Sequence, residues 1–186
     1  MCSKCGSKRT TQTSAPACSD DCAGARAGLP LRARYGLTPV EDIALDLVRL
    51  MFSAQVTGDA RYWFAAMEHA EMQLGSLPGA TLSVHVTALM RTVRRDRQVP
   101  FSFLSYGCRH ICDDEVALVS LWQTMQLGHQ ADVDDALEHV AQGGPVHRLR
   151  ACAAVLAERM RVIEETRTAP PQPRRTHSEV TGRALH

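Results

Sequence analysis

Aromatic residues make up only 5% of this 186-residue chain, and Lys4 and Lys8 are the only lysines among its 21 basic residues. A core poor in aromatics must be built from Leu, Val, Ala and Met. The bias toward arginine reads as GC-rich, bacterial coding rather than as a binding surface. Neither charge is in excess: 21 basic residues face 20 acidic ones, for a net charge of +1. That balance provides no general field to draw nucleic acid or an anionic membrane. No run of about 18 apolar residues is present, so the sequence predicts no membrane-spanning helix. The opening Met-Cys-Ser-Lys-Cys-Gly also lacks the apolar core of a secretory signal. A cytoplasmic protein is the expectation.

Catalytic motifs are missing as well. There is no glycine-rich phosphate loop, no nucleophile beside its base, and no Glu-x-x-His pair of the di-iron bundles. Glu68-His69 and Glu138-His139 are adjacent, so on a helix they diverge by about 100° and do not share a face. The sequence therefore leads to an expectation of no enzyme and no catalytic residues.

Seven cysteines are present. In a reducing compartment close pairs point to metal ligands or redox thiols rather than to a disulfide framework. Cys2-x2-Cys5 and Cys18-x3-Cys22 are two such pairs, in a segment whose composition cannot bury enough surface to fold alone. Tetrahedral zinc takes four soft ligands delivered by two short loops, and Cys2, Cys5, Cys18 and Cys22 match that requirement. An iron–sulfur cluster or another metal is the alternative occupant. Cys-x2-Cys-Gly followed by Cys-Ser-x2-Cys resembles the short treble-clef-like zinc fingers of the DNA-gyrase-inhibitor type over residues 2–26. That resemblance implies structural zinc on these four cysteines, with a protein-binding or nucleic-acid-associated role. Asp20, Asp21 and Ala23 stand where such fingers present basic residues, so the metal carries over and the gyrase does not.

Residues 38–167 read as an all-α domain, an antiparallel bundle of five to six helices. Thr38-Pro39-Val40-Glu41 is a capping box with proline in the first turn. The helix it opens has a stripe of Ile43, Leu47, Leu50 and Met51 and stops at Gly58. Asp59 is expected to cap a second helix ending at Gly75, and a third is expected over about 80–98. Phe101, Phe103 and Leu104 lie in an extended connector that should pack on the bundle. Asp113 is the expected cap of the most buried helix, which carries Val116, Val119, Leu121, Trp122 and Met125. A short acidic helix over 131–142 and a last one over about 146–167 complete the domain. Residues 1–37 form the cysteine segment and linker, and residues 168–186 read as a disordered tail.

Cys108, His110 and Cys112 precede the buried helix and are candidates for a second metal or redox site. The positive end of a helix dipole favours thiolate, which makes Cys112 the expected low-pKa thiol, although Asp113 to Glu115 oppose the shift. Cys152, on an apolar face, is expected to be core. Arg91, Arg94, Arg95 and Arg97 suit a helix C-terminus, and with Lys4, Lys8 and Arg9 they carry a weaker nucleic-acid-binding alternative. The leading expectation is a metal-binding regulatory or adaptor protein. It would bind a protein partner through a groove near Trp63 and Trp122 or through the loop at 106–112, with self-association left open. A redox or cofactor sensor using Cys108 and Cys112 is the alternative from a different class.

Overall fold

The structure, a computed structural model, describes Ala25 and residues 27–169. Cys2, Cys5, Cys18 and Cys22 lie outside these residues, as does the expected tail beyond residue 169. A short 3-10 turn at Arg32–Tyr35 leads into six α-helices: α1 (Pro39–Thr57), α2 (Arg61–Leu74), α3 (Ser76–Asp96), α4 (Asp113–Leu127), α5 (Gln130–Ala141) and α6 (Val146–Thr168). Among the described residues the fold is all-α, and its β pairing is one isolated antiparallel bridge between Leu31 and His110.

The first helix begins as its sequence dictates. Thr38 Oγ1 accepts from the Glu41 amide, and Glu41 Oε2 accepts from the Thr38 amide at 2.9 Å, with Pro39 in the first turn. Each bond satisfies an amide that a helix start leaves without a partner. The helix stops at Gly58, whose φ of 71° only glycine adopts cheaply.

Its stripe is wider than the sequence predicts. Almost every residue from Val40 to Phe52 is buried, because α2, α3, α4 and α6 all pack around it. A helix covered on all sides must bring its polar residues inside too. Glu41, Asp46 and Arg49 are therefore buried, each with hydrogen-bonding partners.

The third helix begins four residues before the expected start. Pro78 falls in its first turn, where no amide is needed, and so does not break it. Gly79 lets α3 approach α2 closely: a Cβ there would lie 2.6 Å from the Ala70 carbonyl oxygen. The core is aliphatic, as composition requires, with Leu45, Met51, Leu82, Leu89, Leu118 and Leu121 buried in one cluster with Trp122. Val116 and Met125, expected among the most buried, are only partly covered. Among the described residues no helix is long and apolar enough to cross a membrane.

Candidate functional site

Residues 97–112 join α3 to α4 without a helix of their own, so their backbone groups must be satisfied from elsewhere. The side chains that do so come from α1 and α4. Phe101 and Phe103 stack on Phe52 of α1 at centroid distances of 5.0 and 5.1 Å. Asp114 accepts from the Ser102 amide at 2.6 Å and from Arg97 at 2.5 Å, and the Arg97 guanidinium also lies over Phe101. The expected packing of the connector on the bundle holds.

At the centre is an ion pair between Arg49 and Glu115, both side chains 0% exposed. Glu115 accepts two bonds from Arg49, at 2.8 and 2.9 Å, one from the Leu104 amide and one from the Cys112 amide. Arg49 also donates to the carbonyls of Cys108 at 2.5 Å and His110 at 2.6 Å. Burial opposes the charge on Arg49, but the bonds and charge of Glu115 outweigh it and hold the guanidinium above its ordinary pKa. The pair is thus fully hydrogen-bonded, the condition under which a buried ion pair is tolerated.

The same loop is pinned from its other side by the chain entering the domain. Arg32 N–H donates to the Arg109 carbonyl at 2.8 Å, and Ile111 N–H donates to the Pro30 carbonyl at 3.0 Å. Cys108 N–H donates to the Ser105 carbonyl at 3.0 Å. The backbone from Cys108 to Ile111 is therefore fixed from two directions, and a site built on it is held before any ligand arrives.

On this frame the three expected site residues separate. Cys108 Sγ and His110 Nδ1 lie 3.9 Å apart, with Cys108 buried. Cys112 is the N-cap of α4, one residue earlier than the expected Asp113, and its thiol donates to the Ser102 carbonyl at 3.3 Å. Burial, with the Glu115 carboxylate beside it, pushes the Cys112 thiol up to about 12. The expected lowering of its pKa is overturned: burial and a buried negative charge outweigh the helix end. Among the described residues no group of three or more His, Cys, Asp or Glu side chains is arranged to hold a metal.

A second polar cluster lies against this loop. Arg32 bridges Asp42 and Asp46 of α1, each at 2.8 Å. His69 of α2 faces Asp46 with Nε2 at 3.6 Å, too long for a hydrogen bond, and meets the Tyr106 hydroxyl with Nδ1 at 3.2 Å. Burial raises the Tyr106 phenol above its ordinary pKa, with the Asp46 charge adding to the rise. His69 is a partnered, largely covered side chain, and Tyr106 is fixed just ahead of Gly107 and Cys108.

The remaining candidates divide similarly. Trp122 is fully buried and forms no part of a surface groove, which corrects its expected role in recognition. Trp63 lines an open groove of about 390 Å³ with Gln55, Arg91, Arg94 and Arg95. Arg97 leaves the expected arginine stripe by pairing with Asp114 inside the protein. Cys152 packs against the core with Sγ 3.5 Å from Thr92 Oγ1, as expected for a core thiol.

Comparisons with protein-family models, with curated proteins and with solved structures find no match for this chain. The site is therefore read from its own chemistry. Sequence reasoning missed Arg49, although a lone arginine inside Leu45-Asp46-Leu47-Val48-Arg49-Leu50-Met51 was the available signal: a charge in so apolar a run needs a buried partner. In the sequence Glu115 stands out only as one of the acids, Asp113 to Glu115, that oppose a thiolate at Cys112.

Proposed function

We propose that the chain is a metal-binding regulatory or adaptor protein that acts by binding another protein. Zinc held by cysteines of the N-terminal segment would be structural, and the helical domain would present the recognition surface. The observation that carries the reading is the set of uncovered apolar side chains on the α2–α3 hairpin. Phe64 is 73% exposed and Leu77 78%, and Met72 and Val84 are exposed with them. Single exposed apolar residues are ordinary, but four large ones along one hairpin are the raw material of an interface.

The redox alternative is weakened at Cys112, whose raised pKa removes the thiolate that oxidation or exchange needs. Cys108 alone remains for it.

A photocrosslinking residue placed at Phe64 or at Leu77 in the native host tests the reading, with Val155 on α6 as an exposed control. A discrete heterologous adduct from positions 64 and 77, absent from 155, is the expected result. Adducts of twice the chain mass alone would replace the partner with self-association. Equal, diffuse labelling at all three positions would reject the hairpin as a recognition surface.

A further inference from the structure

We propose that the pocket between α1, the end of α3 and the start of the 97–112 connector binds a small aromatic carboxylate that carries an O–H or N–H of its own. This goes beyond the recognition of a protein partner and does not depend on it: none of Phe64, Met72, Leu77 or Val84 lines the pocket.

The polar atoms in its walls are short of partners. Among the described residues six buried side-chain nitrogen or oxygen atoms have no hydrogen bond, and three of them belong to two residues that line this one pocket: Gln55 Oε1, Arg97 Nε and Arg97 Nη1. Native proteins pair nearly all such atoms, because a buried group left without a bond bears the full cost of its desolvation. The Arg97 side chain is only 4% exposed. Its third guanidinium nitrogen, Nη2, is held by Asp114, and the guanidinium lies over the Phe101 ring. The group is thus fixed in place with two donors unused. Two donors and one acceptor in one recess are the complement of a ligand that brings both an acceptor and a donor.

Shape and charge narrow the class. The pocket has a volume of about 440 Å³, within the range of about 300–1,000 Å³ that small-molecule sites occupy. Phe52, Val93, Phe101 and Phe103 supply apolar wall, and Phe101 and Phe103 already stack on Phe52, so a flat apolar body suits these surfaces. Val56 and Val99 also line it while each stays 51% exposed, so an apolar ligand would cover surface that the protein leaves in water. Arg94 and Arg97 line the pocket, whereas no Asp or Glu among the described residues does. With Asp114 answering Arg97, the net positive charge of the wall is that of Arg94, which suits a monoanion better than a dianionic phosphate. The two Arg97 nitrogens are shielded from solvent, which strengthens a bond made to them. It also requires a rim side chain to move as the carboxylate enters, and Arg94, long and exposed, can move with it.

The test titrates the full chain by calorimetry with salicylate and 4-hydroxybenzoate, whose hydroxyl lies near to or far from the carboxylate. Benzoate, without the second donor, and 4-hydroxybenzyl alcohol, without the charge, are the comparisons. One hydroxy acid should bind saturably, one per chain, with the alcohol at least about tenfold weaker and benzoate severalfold weaker. Arg97→Gln should weaken the acid about tenfold or more. Should that variant fail to fold, because Arg97 also holds Asp114, Gln55→Leu decides: it removes the acceptor alone and should erase the difference between the hydroxy acid and benzoate. Added acid should also shift the NMR signals of the Phe52, Phe101 and Phe103 rings. Saturable binding by neither hydroxy acid, equal binding of acid and alcohol, an unchanged preference over benzoate in Gln55→Leu, or shifts centred away from these rings would each overturn the proposal.

Discussion

Two kinds of connection link these helices, and they are built by opposite means. The α1–α2 and α2–α3 links are short and turn on backbone conformation, at Gly58 with φ 71° and at Gly75 with φ 86°. The α3–α4 link over residues 97–112 instead hangs on side chains that reach in from other elements: Arg49 from α1, Asp114 and Glu115 from α4, His69 from α2. A glycine turn needs nothing but its own residue. A loop held by distant side chains is only as ordered as the fold that brings them, and in return it can hold chemistry in a fixed place.

The sharpest way to break this contrast is at Glu115. Glu115→Ala leaves Arg49 buried without its carboxylate and frees the Leu104 and Cys112 amides. The expected loss is about 3–5 kcal/mol in urea unfolding, with faster amide exchange over 102–112. The double variant Arg49→Met/Glu115→Leu should recover only part of that loss, since it removes the uncompensated charge but also the bonds to the Cys108 and His110 carbonyls and to the Leu104 and Cys112 amides. A double variant as unstable as the single one would show that loop anchoring, rather than the uncompensated charge, carries the energy.

The same contrast explains what the sequence could and could not show. Helix α1 was legible because Thr38, Pro39, Glu41 and Gly58 act within a few residues of where they stand. The α3 start was misplaced because Pro78-Gly79 reads as a break, while in the fold proline costs nothing in a first turn and Gly79 answers to Ala70 across the hairpin. The site was legible as a set of residues and illegible as a geometry. Arg49 reaches Glu115 across 66 positions and Cys108 across 59, and neither periodicity nor spacing encodes such a contact. Cys112 was misjudged for the same reason: the helix end is local and visible, whereas the burial that overrides it belongs to the whole fold.

The short connections make a smaller prediction that tests the other half of the comparison. Gly79→Ala would place a methyl 2.6 Å from the Ala70 carbonyl oxygen and 2.8 Å from the Glu71 amide nitrogen, both rigid backbone. A cost of about 1–3 kcal/mol is expected from the forced separation of α2 and α3. Gly75→Ala meets open space, so its cost is only that of a residue with a Cβ at φ 86° and ψ 163°, a region left to glycine, roughly 1–3 kcal/mol. Thermal unfolding compares the two variants. A larger loss in Gly79→Ala would mean that the hairpin is fixed by the close approach of its helices, and a larger loss in Gly75→Ala that it is fixed by its turn.

The smallest effect is expected at Cys112, and it separates the loop's two cysteines. Cys112→Ser keeps a donor for the Ser102 carbonyl, so stability at neutral pH should change by no more than about 1 kcal/mol. The variant should differ from the wild type only in alkali. The folded protein holds this thiol proton up to about 12, above the ordinary thiol value of 9.0, so the folded state binds the proton more tightly than the unfolded chain does. The resulting stability is fully present below pH 9 and is lost as pH rises from 9 toward 12. Tyr106, also raised by burial, adds a loss of the same sign, starting from its ordinary value of 10.0, in both proteins. The wild-type slope minus the Cys112→Ser slope therefore isolates the thiol. Identical slopes would return Cys112 to the set of ionisable thiols, and alkylation of the native protein at pH 8 would then label it. A steeper wild-type slope, with Cys112 unlabelled at that pH, would show that burial and the Glu115 carboxylate hold its proton in the folded state.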